Sequence, residues 1–182
     1  MNNEEKKILS DIARKSVEFA IRGTPVDVTQ FQTNSPDLKQ EHGVFVTLRT
    51  NGKLRGCIGR LVSNISLKKL VSEMAVSAVL DDTRFAHNRI RLSELEDLMI
   101  EISLLSPLKR IENPLDFELG KHGIYLRKGR RNGCFLPQVA TETGWPKEEF
   151  LSQCCHVKAG LSPEAWRDKD TEVYVFTVEI VS

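Results

Sequence analysis

Residues 54–61 carry the residue types best suited to chemistry in this chain. Gly56 and Gly59 lie on either side of Cys57, and main chain without side chains would let a ligand approach the thiol closely. Arg55 is predicted to project from the same face of its strand as Cys57. A guanidinium near the sulfur would favour the thiolate, whereas burial would oppose it. The segment therefore predicts either a reactive thiol or an inert buried cysteine.

Other common signatures of catalysis are absent from the sequence. It has no GxxxxGK phosphate loop, no GxGxxG, HExxH or GxSxG motif, and no CxxxCxxC cluster. Its four cysteines, Cys57, Cys134, Cys154 and Cys155, include no CxxC pair, so neither a structural zinc site nor a cofactor is predicted. Whether the protein is an enzyme stays open.

Four further residues are candidates for a site around Cys57. His122 could be its acid–base partner, or a polar residue at the entry to a strand. Asp82 and Arg84 could clamp a ligand, or form a local ion pair where a helix ends. Gln138, after Pro137, could contact a ligand or cap its own short helix.

The strongest local positive patch comprises Arg127, Lys128, Arg130 and Arg131. It could hold phosphate or an RNA backbone. A solvated hairpin tip has the same composition, and no aromatic residue is interleaved with the cluster, as single-strand binders require. The whole chain has 26 basic and 25 acidic residues, a net charge of +1, which gives no general argument for nucleic acid or an anionic membrane.

The elements that must position these residues include one clear hairpin. Asn51 and Gly52 form the pair that tolerates positive φ in a tight turn, so residues 44–49 and 54–59 are predicted to pair. A two-residue turn would place Leu48 opposite Arg55 and Val46 opposite Cys57. Apolar residues on both faces favour a central position in a sheet.

The remaining patterns predict the rest of the fold. Helical periodicity indicates an amphipathic helix over about the first twenty residues and another after Ser66, and 24–43 is predicted to be a surface loop. Strands are predicted at 100–104 and 173–181, a second hairpin at 123–136, and helices beginning near Pro137, Pro146 and Pro163. This order favours an α+β fold with mixed or antiparallel sheets and packed helices.

At 182 residues, the chain suits a single domain, 1–182, either undivided or built from two intimately packed lobes with a hinge near 113–120. The N-terminus has Glu4 and Glu5 where a secretory signal would need apolar residues. No apolar run is long enough to span a membrane. We therefore expect a cytoplasmic protein without a membrane partner.

Several motifs resemble the AMMECR family, and they run through nearly the whole chain in the family's order. They are GVFVTL at 43–48, LRGCIG at 54–59, RF at 84–85, GKHG at 120–123, LPQVA at 136–140, GW at 144–145, KAGL at 158–161 and Trp166. One departure is Thr83, where the family usually has proline.

The resemblance implies an α+β fold whose larger and smaller lobes form a cleft, with the LRGCIG segment at or near it. Prokaryotic members often resemble protein A of the AmmeMemoRadiSam system, which groups this domain with a Memo-like protein and a radical S-adenosylmethionine enzyme. The resemblance thus implies an accessory component that binds a small molecule or a partner protein. Nucleotide or RNA chemistry has also been suggested for the family, and a scaffold without catalysis is the third alternative.

Overall fold

A computed structural model describes residues 1–24 and 42–182 of the protein. These residues form two compact units, Met1–Leu105 with Glu179–Ser182, and Ser106–Val178. The predicted hinge region, 113–120, lies inside the second unit. In chain order, the helices and strands are α1 (Asn3–Arg22), β1 (Gly43–Thr50), β2 (Lys53–Arg60), α2 (Leu67–Leu80), β3 (Leu98–Leu105), β4 (Lys109–Ile111), β5 (Gly123–Lys128), β6 (Arg131–Phe135), α3 (Pro137–Thr143), α4 (Lys147–Gln153), β7 (Glu172–Phe176) and β8 (Val178–Val181).

The first unit is built on a four-stranded sheet with the order β2-β1-β3-β8. Its core joins the apolar stripes of α1 and α2 to every second residue of β1, namely Val44, Val46 and Leu48, all fully buried. Since side chains alternate along a strand, the residues between them, such as Thr47, face away from the helices. The amphipathic N-terminal helix is confirmed, and Asn2 caps it by accepting a hydrogen bond from Glu5 N–H.

The first hairpin has the predicted turn but a different register. Asn51 and Gly52 have φ of 51° and 74°, and Thr50 lies opposite Lys53 as predicted. Beyond that pair, Leu48 lies opposite Gly56 while Arg49 lies opposite Leu54, which makes Arg55 the extra residue of a β-bulge. Thr47, rather than Val46, therefore faces Cys57.

The bulge reverses the predicted orientation of the cysteine. Side chains alternate between the two faces of a strand, so one extra residue exchanges the faces of all residues that follow it. Each β2 side chain after Arg55 therefore lies on the face opposite to the predicted one. Cys57 consequently lies on the face that is turned away from α1 and α2. The predicted central position also holds only for β1, since β2 is an edge strand.

The second unit contains a four-stranded sheet with the order β4-β7-β5-β6. Its core includes Ile124 and Leu126 of β5 together with Phe150 of α4. The predicted final strand, 173–181, is divided between β7 in this sheet and β8 in the other. The division falls at Thr177, whose N–H and C=O bond to the Ser106 hydroxyl and N–H, both at 3.0 Å, instead of continuing a ladder.

The α+β class is confirmed, with helices packed on antiparallel sheets. The predicted loop at 24–43 lies almost wholly outside the described residues. The helix after Ser66 is present as α2, although the Ser66 side chain makes no capping hydrogen bond. Of the helices in the described part of the chain, none combines the length and apolar character needed to cross a membrane.

Candidate functional site at Cys57

Two side chains from the segment that follows α2 hold the main chain of Cys57. Its N–H donates to Asp82 Oδ2 at 2.9 Å, and its C=O accepts from Arg84 Nη2 at 3.3 Å. Because β2 is an edge strand, these main-chain groups would otherwise be open to another strand. Asp82 and Arg84 therefore cover the edge at the cysteine itself.

The same geometry places the thiol against Thr47. The main-chain groups of Cys57 bond away from β1, so Cys57 and Thr47 form a non-hydrogen-bonded pair, the kind in which side chains approach most closely. Thr47 Oγ1 donates to Cys57 Sγ at 3.4 Å. The thiol is half-buried, neither sealed in the core nor fully exposed.

Asp82 and Arg84 form an ion pair with two parallel contacts. Arg84 Nε lies 2.9 Å from Asp82 Oδ1, and Arg84 Nη2 lies 2.6 Å from Asp82 Oδ2. The Asp82 side chain is 4% exposed and the Arg84 side chain 54% exposed. Hydrogen bonding from Arg84 lowers the pKa of Asp82 below its usual 3.8, and the carboxylate raises the pKa of Arg84. The pair is thus the local ion pair of one interpretation, and it also holds the main chain of Cys57. Ligand binding by Asp82 and Arg84 stays a prediction.

Arg55 is the bulge residue, and its guanidinium binds groups other than the cysteine. Its part in ligand binding stays a prediction. It forms an ion pair with Glu94 and donates to the C=O of Asn88 at 3.2 Å. Its side chain is only 11% exposed, and hydrogen bonding from Arg55 lowers the pKa of Glu94. Arg55 therefore anchors the segment around Glu94 to β2, and the cation beside Cys57 is Arg84.

The two glycines of the motif serve internal packing. A Cβ on Gly56 would lie 2.1 Å from the carbonyl oxygen of Ala78 in α2, and a Cβ on Gly59 would lie 2.3 Å from the ring of Phe45. The space beside each glycine that was predicted to admit a ligand is therefore occupied by other atoms of the protein. These positions are glycine because neighbouring atoms come too close for any side chain.

The other cysteines differ from Cys57 in burial. Cys134 is also half-buried, whereas Cys154 and Cys155 are buried. Burial raises the pKa of Cys155 to about 11 and that of Cys154 well above its usual value. Among residues 1–24 and 42–182, no three His, Cys, Asp or Glu side chains are grouped so that they could hold a metal ion.

His122 and Gln138 belong to the second unit. His122 Nδ1 accepts the N–H of Glu118 at 3.0 Å, so this nitrogen closes a local turn. Gln138 is the second residue of α3, and its Oε1 is buried with no hydrogen-bond partner among residues 1–24 and 42–182. The participation of either residue in a site with Cys57 stays a prediction.

The basic cluster is largely occupied by internal contacts. Arg127 pairs with Glu172, and Lys128 pairs with Asp168 and Asp170, at N–O distances of 2.5–3.1 Å. Arg131 donates to the C=O of Gly160. Arg130, by contrast, is exposed at the tip of the second hairpin. Much of the positive charge that the sequence places there is thus balanced by acidic neighbours.

A cavity of about 700 Å³ also lies in the first unit, beside α1 and α2. The Arg60–Glu73 ion pair, with an N–O distance of 3.1 Å, forms part of its wall. None of the predicted site residues lines it. This cavity therefore meets the 54–61 segment only at Arg60, and Cys57 is not among its lining residues.

Sequence reasoning missed two residues of this arrangement, Thr47 and Glu94. Thr47 reaches the thiol only through the shifted register, and Glu94 is 39 positions from Arg55. The position of Glu94, three residues after Arg91, could have predicted a capping contact for this acid. Its carboxylate does accept the Arg91 N–H, at 2.9 Å.

Fold and site together describe an α+β protein with two sheets and a cysteine clamped at a sheet edge. The AMMECR1 family profile matches residues 10–181, and the chain belongs to this family. It is 38% identical to a protein of Thermococcus onnurineus, over 99% of this chain and 91% of that one. It is 40% identical to a protein of Methanopyrus kandleri, over 97% and 87%.

A crystal structure supports the same assignment. The uncharacterized protein PH0010 from Pyrococcus horikoshii superposes with a TM-score of 0.87 at 35% sequence identity. The match covers 99% of this chain and 92% of that one. The α+β fold expected from the family resemblance is therefore confirmed.

Proposed function

We propose that this protein is an accessory component of a modification pathway that includes a Memo-like protein and a radical S-adenosylmethionine enzyme. In that role it binds a small ligand or one of these partners at the β2 edge around Cys57. Family membership supports the choice of pathway. The cleft that the family resemblance implies beside this segment stays a prediction.

The observation that carries the proposal is the double clamp on Cys57. A buried carboxylate and a guanidinium fix the main chain of a half-buried cysteine whose thiol also contacts Thr47. A cysteine that served packing alone would be expected among apolar side chains, as Cys154 is. Fixing both main-chain groups holds the sulfur in place, which is what a binding or reacting thiol requires.

Arg84 supplies the electrostatic part of the site. Three of its hydrogen bonds go to Asp82 and one to the Cys57 carbonyl, all through its main-chain N–H, Nε or Nη2. Its exposed guanidinium can therefore still meet an anionic group of a ligand or partner, and it favours negative charge near the thiol. The proposed recognition is of an anionic or electrophilic group next to the sulfur.

Binding to the two predicted partners tests the proposal. The Memo-like and radical S-adenosylmethionine proteins of the same genome would be purified, immobilised and titrated with the full chain by interferometry. We expect Cys57→Ser and Arg84→Gln to weaken binding at least tenfold. Cys134→Ser, which removes another half-buried thiol in the second unit, is the matched control.

Thermal unfolding of each variant separates a binding defect from a folding defect. A Cys57→Ser protein that keeps its melting temperature and loses binding supports the proposal. If the variant binds both partners as the parent does, or neither partner binds the parent, the proposal that Cys57 recognises a partner protein is wrong. The scaffold alternative then gains support.

A further inference from the structure

One face of the second unit's sheet presents two tyrosines side by side. Tyr125 of β5 and Tyr174 of β7 are directly paired across the two central strands. Their ring centroids are 5.8 Å apart and the ring planes are inclined by 44°. Both side chains are half-buried. A paired aromatic surface of this kind offers two adjacent π-faces.

This face is the one turned away from the unit's helices. The residues that alternate with the tyrosines, Ile124 and Leu126 in β5 and Val173 and Val175 in β7, are buried in the core with α3 and α4. Since successive side chains of a strand point to opposite faces, the tyrosines project from the other side. Helices do not cover them within this unit.

Two arginines flank the tyrosine pair on the same face. Arg127 lies two positions after Tyr125 in β5, and Arg110 of β4 lies directly opposite Tyr174. Their side chains are 49% and 61% exposed. Cations therefore stand at two edges of the aromatic surface, where they can be reached from solvent.

Glu172 lies between the two cations and binds both. Its Oε2 is 2.5 Å from Arg127 Nη2, and its Oε1 is 3.6 Å from Arg110 Nη1. These three side chains together carry a net charge of +1, since one carboxylate is shared by two guanidinium groups. Sharing also restrains both arginines beside the rings, which lowers the entropy lost when they bind an anion.

We propose that this tyrosine face, comprising Tyr125, Tyr174, Arg110 and Arg127, binds single-stranded nucleic acid. Two successive bases stack on the tyrosines, and the arginines hold the adjoining phosphates. The RNA-recognition motif, a four-stranded sheet whose exposed aromatic residues stack two or three bases, binds single-stranded RNA in this way. Stacking contributes about 1–3 kcal/mol per base and tolerates any base, because every base has a π-face.

This inference is independent of the proposed function and differs from the hairpin-tip alternative. The two sites share Arg127, but no aromatic residue is interleaved with the tip cluster, whereas the sheet brings Tyr174 next to Tyr125 from 49 positions away. Acidic side chains balance Lys128 at the tip. The tyrosine face instead joins π-faces to accessible guanidinium groups, the combination that single-strand binders use.

The test is fluorescence anisotropy with fluorescein-labelled twelve-residue oligouridine and the full chain at low salt. Tyr125→Leu and Tyr174→Leu keep an apolar side chain but remove the π-face, so each is expected to weaken binding about 5- to 150-fold. Tyr125→Phe and Tyr174→Phe keep the ring and should bind like the parent. Equal binding by the leucine and phenylalanine variants would overturn the proposal, as would no binding by the parent.

Charge variants show which surface of the protein binds the oligonucleotide. Arg127→Gln is expected to weaken binding and to reduce the slope of log affinity against log salt by about 1. Arg130→Gln removes the same charge from the hairpin tip and should have little effect. Glu172→Gln should strengthen binding, since it removes the carboxylate that pairs with both arginines. A larger loss with Arg130→Gln, or weaker binding with Glu172→Gln, would count against the tyrosine face.

Two further probes define the ligand. Twelve-residue oligothymidine should bind as well as the RNA does, because stacking does not require the 2′-hydroxyl. Adenosine monophosphate can occupy only one ring, so it should bind much more weakly than either strand. A mononucleotide that binds as tightly as the oligonucleotides would overturn the proposal that the ligand is a nucleic-acid strand.

Discussion

The carboxylate of Asp82 accepts a hydrogen bond from the main-chain N–H of Cys57, 25 residues earlier in the chain, at 2.9 Å. The same oxygen accepts from Arg84 Nη2, so one buried acid links the cysteine of β2 to the segment that follows α2. Edge strands are commonly shielded by side chains of this kind. Here the shielding side chain lies at Cys57, the strand's nucleophilic residue. Removing the Asp82 carboxylate therefore has measurable consequences.

Replacing Asp82 by asparagine should destabilise the protein by about 1–3 kcal/mol, because charge-assisted hydrogen bonds to a buried acceptor are lost. The pKa of Asp82 is lowered in the folded state from its usual 3.8. The stabilisation is therefore fully present above about pH 4 and is lost as the pH falls through the folded-state pKa. Urea denaturation of parent and variant from pH 7 to pH 2.5 should show the difference shrinking only at the acid end.

Asp81→Asn is the matched control for that experiment, since Asp81 is the exposed neighbour. It should change the free energy of unfolding by less than about 0.5 kcal/mol. A difference between Asp82→Asn and the parent that persists unchanged at pH 2.5 would contradict the assigned role of the carboxylate.

Thiol labelling should separate the four cysteines into two classes. Cys57 and Cys134 are half-buried and should react with iodoacetamide in the folded protein, whereas Cys154 and Cys155 should react only after unfolding. The raised pKa of both buried thiols, about 11 for Cys155, keeps them protonated at neutral pH. Peptide mass spectrometry over time measures each rate.

Arg84→Gln should speed labelling of Cys57 about two- to fivefold, because losing the hydrogen bond from Arg84 Nη2 to the Cys57 carbonyl, worth about 0.5–1 kcal/mol, lets this part of β2 open more often. Labelling of Cys134 serves as the internal control and should be unchanged. Protection of Cys57 equal to that of Cys154 would refute the accessible site.

Arg55→Ala should lower the free energy of unfolding by about 1.5–3 kcal/mol, because a largely buried guanidinium would no longer bind Glu94 and the Asn88 carbonyl. Glu94→Gln should have a smaller effect of the same sign. In urea denaturation, the double variant should lose less free energy of unfolding than the two single variants lose together, as expected for residues in contact. Strict additivity would show that the pair contributes nothing.

Gly56→Ala should destabilise the protein by about 3 kcal/mol or more, since the new Cβ would lie 2.1 Å from the Ala78 carbonyl oxygen and β2 or α2 would have to move. Gly52→Ala is the control in the same hairpin. Its Cβ would meet no atom within 4 Å, and only the left-handed φ of 74° resists it, at about 1 kcal/mol. Equal melting temperatures for the two variants would contradict the packing role of Gly56.

Local patterns predicted much of the fold. The Asn51-Gly52 turn, the N-terminal helix and the helix that begins at Pro137 all follow from short-range preferences, and the structure confirms each. The α+β class followed from the order of such elements. These features depend on residues that are neighbours in the chain, so the sequence displays their causes directly.

The site was decided by contacts that no local pattern records. A single extra residue, Arg55, reverses the face of Cys57, because strand side chains alternate with a period of two. The neighbours of that cysteine, Thr47 and Asp82, come from another strand and a distant turn, as Tyr174 does for Tyr125. The sequence thus determined which elements form and which family the chain resembles. Tertiary structure alone decided which side chains meet, since register and long-range packing depend on the whole chain at once.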